Sequence, residues 1–253
     1  MGTSNSVMVV VTQPKHPLTE DDYNAWYSDN HLPYVLFSEG FPSASRFRQT
    51  KVIKGTMTPY IALYQADWED TWDAQSAYAQ VGKRGIGARW NRSPGNSLEV
   101  EWWSYYRKIA ETGRPSPADA TGSILVTFAN PDGGLGNTAI FLAETVENWY
   151  RAFLDDMADC PIVSGSTLYR LGLRAGGPPP PQYMSVHELR APAGSSGERT
   201  HDLIMDWMRG AKLRADPAAV MQPKGPVALE FWGYYDHIAT RIKASEEELL
   251  GPA

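Results

Sequence analysis

The chain has 253 residues, 42% of them hydrophobic, which is enough apolar material for one large domain or two small ones. Its formal net charge of −6, with Lys and Arg scattered rather than bunched, lacks the basic footprint of a nucleic-acid binder. Cys160 is the only cysteine, so no disulfide within the chain marks an oxidising compartment; the expectation is a structural thiol in a cytoplasmic protein.

The N-terminal "MGTSNS" fits a myristoylation pattern in form, but so short a match arises easily by chance, and a lone acyl chain anchors weakly. The apolar run "VMVVV" that follows is far shorter than the roughly 20 residues a membrane span needs, so it reads as a strand and no membrane partner is expected. "TEDD" then offers Thr19 as the N-cap of a helix with acids in its first turn. Along that helix Tyr23, Trp26, Tyr27, Asn30, His31 and Tyr34 share one face at helical spacing, and that face should look at a sheet. Two strand-like runs, "SASRFRQT" and "YIALYQADW", precede an amphipathic helix, "DTWDAQSAYAQV". "GKRGIGARWNRSPGNS" reads as a long loop whose glycines suit a lid or turn, and "EWWSYYRKIA" (101–110) as a last strand.

The pattern then begins again. After a Pro- and Gly-rich linker (111–122), "SILVTFANP", a helix containing Trp149-Tyr150, "GSTLYRLG", "YMSVHELRA", the helical "RTHDLIMDWMRGA" and "EFWGYYDHIA" (230–239) follow in the same order. "RAGGPPPPQ" reads as a second long loop. Each half is β-α-β-β-α-β, the ferredoxin-like order, which leaves one face of a four-stranded antiparallel sheet bare. The predicted fold is therefore α+β: tandem repeats at 1–110 and 123–253 whose sheets pack against each other.

These tandem halves, with "NAWYSDNHLP" in the first helix, resemble the dimeric α/β-barrel superfamily, and most of all its EthD-like branch. Trp26, Tyr27, His31 and Pro33 carry the resemblance. It implies a closed barrel of two sheets formed within one chain, helices outside, and ligand cavities between each sheet and its own helices. It also implies cofactor-free cyclases, isomerases, decarboxylases or lyases acting on aromatic or polyketide-like compounds, with haem enzymes among the relatives. Fold alone does not choose between them.

Within that frame His31 is the candidate acid–base group, since an unperturbed imidazole titrates at about pH 6.5. The competing reading is a satisfied core histidine. Aligning Trp149-Tyr150 with Trp26-Tyr27 puts Phe153 or Leu154 where His31 stands, so packing alone does not demand an imidazole and the first half should carry the active cavity. Asp29 or Asn30 could orient the ring. Tyr60, Ala62, Tyr64 and Ala66 alternate onto one strand face, opposite Ile61, Leu63 and Gln65; small residues beside Tyr64 leave room for its hydroxyl to meet a substrate carbonyl or enolate, unless it merely packs. On the last strand Trp103 and Tyr105 oppose Trp102, Ser104 and Tyr106; alternation alone does not say which face lines the pocket, and the first pair is the candidate.

His16, His187, His201 and His237 form no metal-ligand spacing, so no metal site is expected. The expectation is thus an enzyme without metal or organic cofactor: a lyase, cyclase or isomerase, with a lean to lyase, acting on a small hydrophobic, aromatic or polyketide-derived carbonyl compound. His31 is its acid or base, Tyr64 or Tyr34 its oxyanion donor, and Trp26, Tyr27, Asn30, Trp103 and Tyr105 its binding wall. The alternatives are a non-catalytic protein that binds small hydrophobic ligands, or a haem enzyme with His187 or His201 as axial ligand. Homodimerisation stays open, because the tandem repeat can satisfy the usual dimer contact within one chain.

Overall fold

The structure is a computed structural model that describes residues 5–83, 98–113, 122–131, 139–190, 197–211, 213 and 227–243. In chain order the elements are β1 (Ser6–Pro14), α1 (Glu20–Trp26), a π-helical turn (Tyr27–His31), α2 (Leu32–Leu36), β2 (Ser43–Lys54), β3 (Tyr60–Ala66), α3 (Thr71–Lys83) and β4 (Leu98–Gly113). The second half continues with β5 (Ile124–Pro131), α4 (Ala139–Ala158), β6 (Val163–Gly176), β7 (Tyr183–Leu189), α5 (Gly197–Gly210) and β8 (Val227–Ile242). Residues 111–113 of the expected linker are strand, as are 174–176 of the second expected loop. The remainder of the linker up to residue 121, the first expected loop beyond residue 83 and the first four residues of the chain lie outside the described residues.

Eight antiparallel strands close into one barrel in the order β1-β3-β2-β8-β5-β7-β6-β4. Each half contributes the ferredoxin-like order, β4-β1-β3-β2 and β8-β5-β7-β6, and the halves are sewn together at β2–β8 and β4–β6. Closure leaves no unpaired sheet edge, which is how the bare sheet of each repeat is accommodated.

Strand alternation divides the side chains into three cores. Val7, Val9, Val11, Ile61 and Leu63 point into the barrel and meet Ile124, Val126, Phe128, Val186 and Phe231 from the other half. Their neighbours Met8, Val10, Ala62, Tyr64 and Tyr105 point out, under α1, α2 and α3. Leu125, Tyr150, Phe153, Met157, Ile204 and Trp232 form the matching layer of the second half, which also buries Cys160.

The π-helical turn has an identifiable cause. Pro33 has no N–H to donate to the carbonyl four residues back, and its ring would collide with that carbonyl in a regular helix. Widening the turn relieves both problems: the amide of Leu32 reaches the carbonyl of Tyr27, five residues earlier. Thr19 caps the start of α1 by accepting from the amide of Asp22, as its sequence suggests.

Candidate functional site

Strand register builds the floor of the first compartment in rows. Tyr105 on β4, Met8 on β1, Tyr64 on β3 and Ala44 on β2 lie abreast, and the next row is Trp103, Val10, Ala62 and Arg46. Trp103 and Tyr105 therefore face the helices, whereas Trp102 and Tyr106 enter the barrel. The helices lay Tyr23, Tyr27 and Tyr34 over this floor as buried side chains, with Trp26 partly buried.

His31 sits half-buried at the rim of this layer. Its ring stacks on Trp26 at 5.1 Å between centroids, meets Tyr27 edge-on at 4.7 Å, and lies 6.3 Å from Tyr34. Tyr27 links the rim to the floor, because the hydroxyl of Tyr64 donates to the hydroxyl of Tyr27 at 3.1 Å. Burial pushes the phenols of Tyr27, Tyr64 and Tyr105 well above their ordinary range and that of Tyr78 up to about 12, so all of them stay protonated donors at neutral pH.

Several of these donors have nothing to donate to. Two phenols sharing one hydrogen bond leave one O–H over. Among the described residues the buried hydroxyl of Tyr105 and the buried Nε1 of Trp26 have no partner. Buried polar groups are normally paired, so the unused donors of this layer are a recognition feature for an acceptor, and the second half leaves Nε1 of Trp149 unused as well.

Not every expected residue takes part. The half-buried Asn30 makes no hydrogen bond to the imidazole, and Asp29 turns outward to accept from Arg241 on β8 at 2.6 Å. Neither orients His31. The π-helical turn explains this, since an extra residue in the turn rotates 29–31 away from the regular helical stripe. The room expected beside Tyr64 is also used differently: Arg46 stands directly across from Ala62.

Arg46 is the residue that sequence reasoning missed. It is 1% exposed. Its Nη1 donates to the carbonyl of Asn24 and to Oγ of Ser28, its Nη2 donates to Oδ1 of Asn24, and its guanidinium lies 4.2 Å from the centre of the Tyr27 ring. In "SASRFRQT" the alternation places Arg46 beside Arg48 on one face, which by itself reads as a wet surface. Only the small Ala62 across the strand pair hints at a long side chain folding inward. Tyr78 of α3, packed on Trp103 at 5.7 Å, was missed as well; its aromatic ring in an amphipathic helix carries no distinguishing signal.

The second compartment supplies an internal comparison, and it corrects the helix alignment. Glu20 on α1 pairs with Arg48 and receives the hydroxyl of Tyr60, while Tyr23, one turn on, packs against Tyr60. Glu147 on α4 pairs with Arg170 and receives the hydroxyl of Tyr183, while Tyr150 stacks on Tyr183. Tyr150 is thus the counterpart of Tyr23, not of Tyr27, and "ENWY" answers "EDDY". The Trp-Tyr pair is not shared between the halves. Trp26, Tyr27 and His31 together are peculiar to the first half.

Strand register likewise pairs Tyr64 with His187 and Arg46 with Leu168 as equivalent positions. His187 is wholly buried, accepts or donates at both ring nitrogens to Ser166 (2.7 Å) and Ser185 (2.9 Å), and is pushed down to about 3 by burial, which keeps it neutral. With both nitrogens engaged it does not present an axial ligand for haem. His201 meets the hydroxyl of Tyr234 at 3.3 Å through Nδ1. Among the described residues no group of three His, Cys, Asp or Glu side chains is arranged to hold a metal ion, and no helix is long and apolar enough to cross a membrane.

No family model matches this chain, and no curated protein matches it by sequence. Solved structures do match by shape. An anthrone oxidase-like protein superposes with a TM-score of 0.61 at 14% identity, covering 96% of this chain and 95% of that one. A candidate monooxygenase from Fusobacterium nucleatum gives 0.52 at 10% identity, with 96% of both chains covered. Another from Lactobacillus acidophilus gives 0.51 at 7% identity over 94% of this chain and 97% of that one. Identities this low speak to architecture alone, and with the closed eight-stranded sheet they establish it: the chain adopts the dimeric α/β-barrel fold, with both halves of the barrel drawn from a single polypeptide.

Proposed function

We propose that the first compartment binds an aromatic carbonyl compound and that His31 removes a proton from the carbon activated by that carbonyl. The observation that carries this reading is the set of donors left unused, among the described residues, in the layer that His31 borders: the hydroxyl of Tyr105, Nε1 of Trp26 and the spare O–H of the Tyr27–Tyr64 pair. Proton loss moves negative charge onto the carbonyl oxygen, and preorganised donors in a water-poor layer stabilise it as it develops. Tyr34, Trp103 and Tyr78 form walls, and the stacking of His31 on Trp26 holds the base at the rim. The Trp26, Tyr27, His31, Pro33 signature also supports placing the chain in the EthD-like branch.

An enolate is the common starting point for elimination, ring closure and isomerisation, the lyase, cyclase and isomerase chemistries expected above. The resemblance in shape to an anthrone oxidase-like protein favours a second fate, capture of dioxygen. The carbanionic carbon and O2 form a C–O bond, and loss of water from the resulting hydroperoxide leaves a new carbonyl. Both fates need the same first step, which requires no bound cofactor.

Anaerobic exchange of the methylene protons of anthrone in D2O, followed by NMR, tests that step. The protein should accelerate exchange, and His31→Gln should lower the acceleration by about 100-fold or more, the usual weight of a general base. Unchanged exchange in the variant removes His31 from the mechanism. Binding of anthrone without any exchange makes the protein a ligand carrier instead, and admitting O2 then separates oxidation from the redox-neutral fates.

A further inference from the structure

Among the described residues the charge on Arg46 has no counterion. Its three donated hydrogen bonds go to neutral oxygens of Asn24 and Ser28, and the rings of Tyr23, Tyr27 and Tyr60 lie within 4.9, 4.2 and 5.5 Å of the guanidinium carbon. No carboxylate among the described residues pairs with it. Glu20, which bonds Tyr60, is already matched by Arg48. Aromatic faces and neutral acceptors satisfy the geometry of a guanidinium but do not cancel its charge, and an uncompensated buried ion is costly.

The fold does not ask for this cost. Leu168 occupies the equivalent place in the second half, opposite Ser185 as Arg46 is opposite Ala62. Beside it, His187 is clamped between two serines in the place that Tyr64 takes in the first half. In the first half the cation lies 4.2 Å from the centre of the Tyr27 ring, and the His31 ring lies 4.7 Å from that same centre. A positive charge and a candidate base therefore touch one phenol, whose hydroxyl belongs to the donor set.

We infer that the first compartment takes its ligand as an oxyanion, a phenolate or enolate, and that Arg46 is the fixed countercharge that selects this form, acting through Tyr27 rather than by contact. The inference rests on the proposed binding site but not on proton abstraction by His31. Arg46 is thus a specificity-determining and positioning residue: its field favours the anion, and its bonds to Asn24 and Ser28 fix the helix at the entrance to the π-helical turn that carries His31.

Calorimetric titration with 4-nitrophenol, at a pH where it is ionised, against its neutral methyl ether 4-nitroanisole tests the inference without any turnover. The wild-type protein should prefer the anion by about tenfold or more. Arg46→Met should lose that preference while keeping its affinity for the ether, and Arg46→Lys should retain a part of it. Equal affinities in the wild-type protein, a preference undiminished in Arg46→Met, or no binding of either compound overturns the proposal. The wild-type comparison stands even if Arg46→Met does not fold. A preserved anion preference in His31→Gln, together with unaltered proton exchange, would defeat the catalytic reading and leave this one intact.

Discussion

Tyr105 brings a hydroxyl into the helix-side core of the first half, where it has no partner among the described residues. An unsatisfied buried hydroxyl costs about 1–3 kcal/mol, so its retention calls for a compensating role. Tyr105→Phe should leave stability to urea unchanged or raise it by about 1 kcal/mol, while weakening the binding of a phenolic or ketonic ligand. A loss of stability greater than about 1 kcal/mol would mean that the hydroxyl is bonded in the folded protein. Strand alternation makes it legible that Tyr64 shares a face with Tyr60, Ala62 and Ala66, and Trp103 with Tyr105, but which face of the last strand meets the helices is settled only by the register. Arg46 is not legible. A charged residue in an alternating strand looks solvated until the register sets Ala62 across from it and three tyrosines above it.

At the scale of the element, the first helix is where a uniform 3.6-residue period misleads. The period sets Asn30 and His31 on the same inward stripe as Tyr27. The widened turn imposed by Pro33 instead leaves both half-buried, with Asp29 bonded to β8. The match between the halves misleads as well, since aligning the helices on Trp-Tyr is locally persuasive and wrong by one turn. Only the repeated set of Glu20, Arg48 and Tyr60 against Glu147, Arg170 and Tyr183 reveals the register. Pro33→Ala restores the missing donor and removes the clash, so the turn should tighten to a regular α-helix. Exchange at the anthrone methylene should then fall by about 10-fold or more with the thermal midpoint held or raised, because a misplaced catalytic group loses rate without losing fold. Full activity in that variant would show that the π-helical turn does not position His31.

For the whole molecule, one barrel joins two compartments of different character: one holds a buried guanidinium among three tyrosines, the other closes around a neutral histidine. The overall architecture is legible in the sequence because the order of strands and helices repeats and each bare sheet needs cover. The division of labour is legible only in part, since it depends on contacts between elements distant in the chain. His187 makes the second half a framework element with an acid liability. Its imidazole titrates at about 6.5 when unfolded and at about 3 when folded, so between those values the unfolded chain binds more protons. Its contribution to stability is complete above the upper value and is lost as pH falls through that window, by up to about 1.4 kcal/mol per pH unit. His187→Gln should flatten the acid limb of the stability profile relative to the wild-type protein, whereas a parallel profile would show that the ring is not buried neutral.

In the proposed function the ligand's oxygen meets the unused donors of the first half. The indole N–H resonances of protein labelled with 15N-tryptophan, followed by NMR as anthrone is added, report on this directly, because Trp26 in one half and Trp149 in the other each carry a buried Nε1 with no partner among the described residues, while Trp232 lies beside the hydroxyl of Tyr234. A downfield shift of the Trp26 N–H, with Trp149 and Trp232 unmoved, is the predicted result. Shifts at Trp149 or Trp232 while Trp26 stays in place would contradict the account and transfer the binding site to the second half.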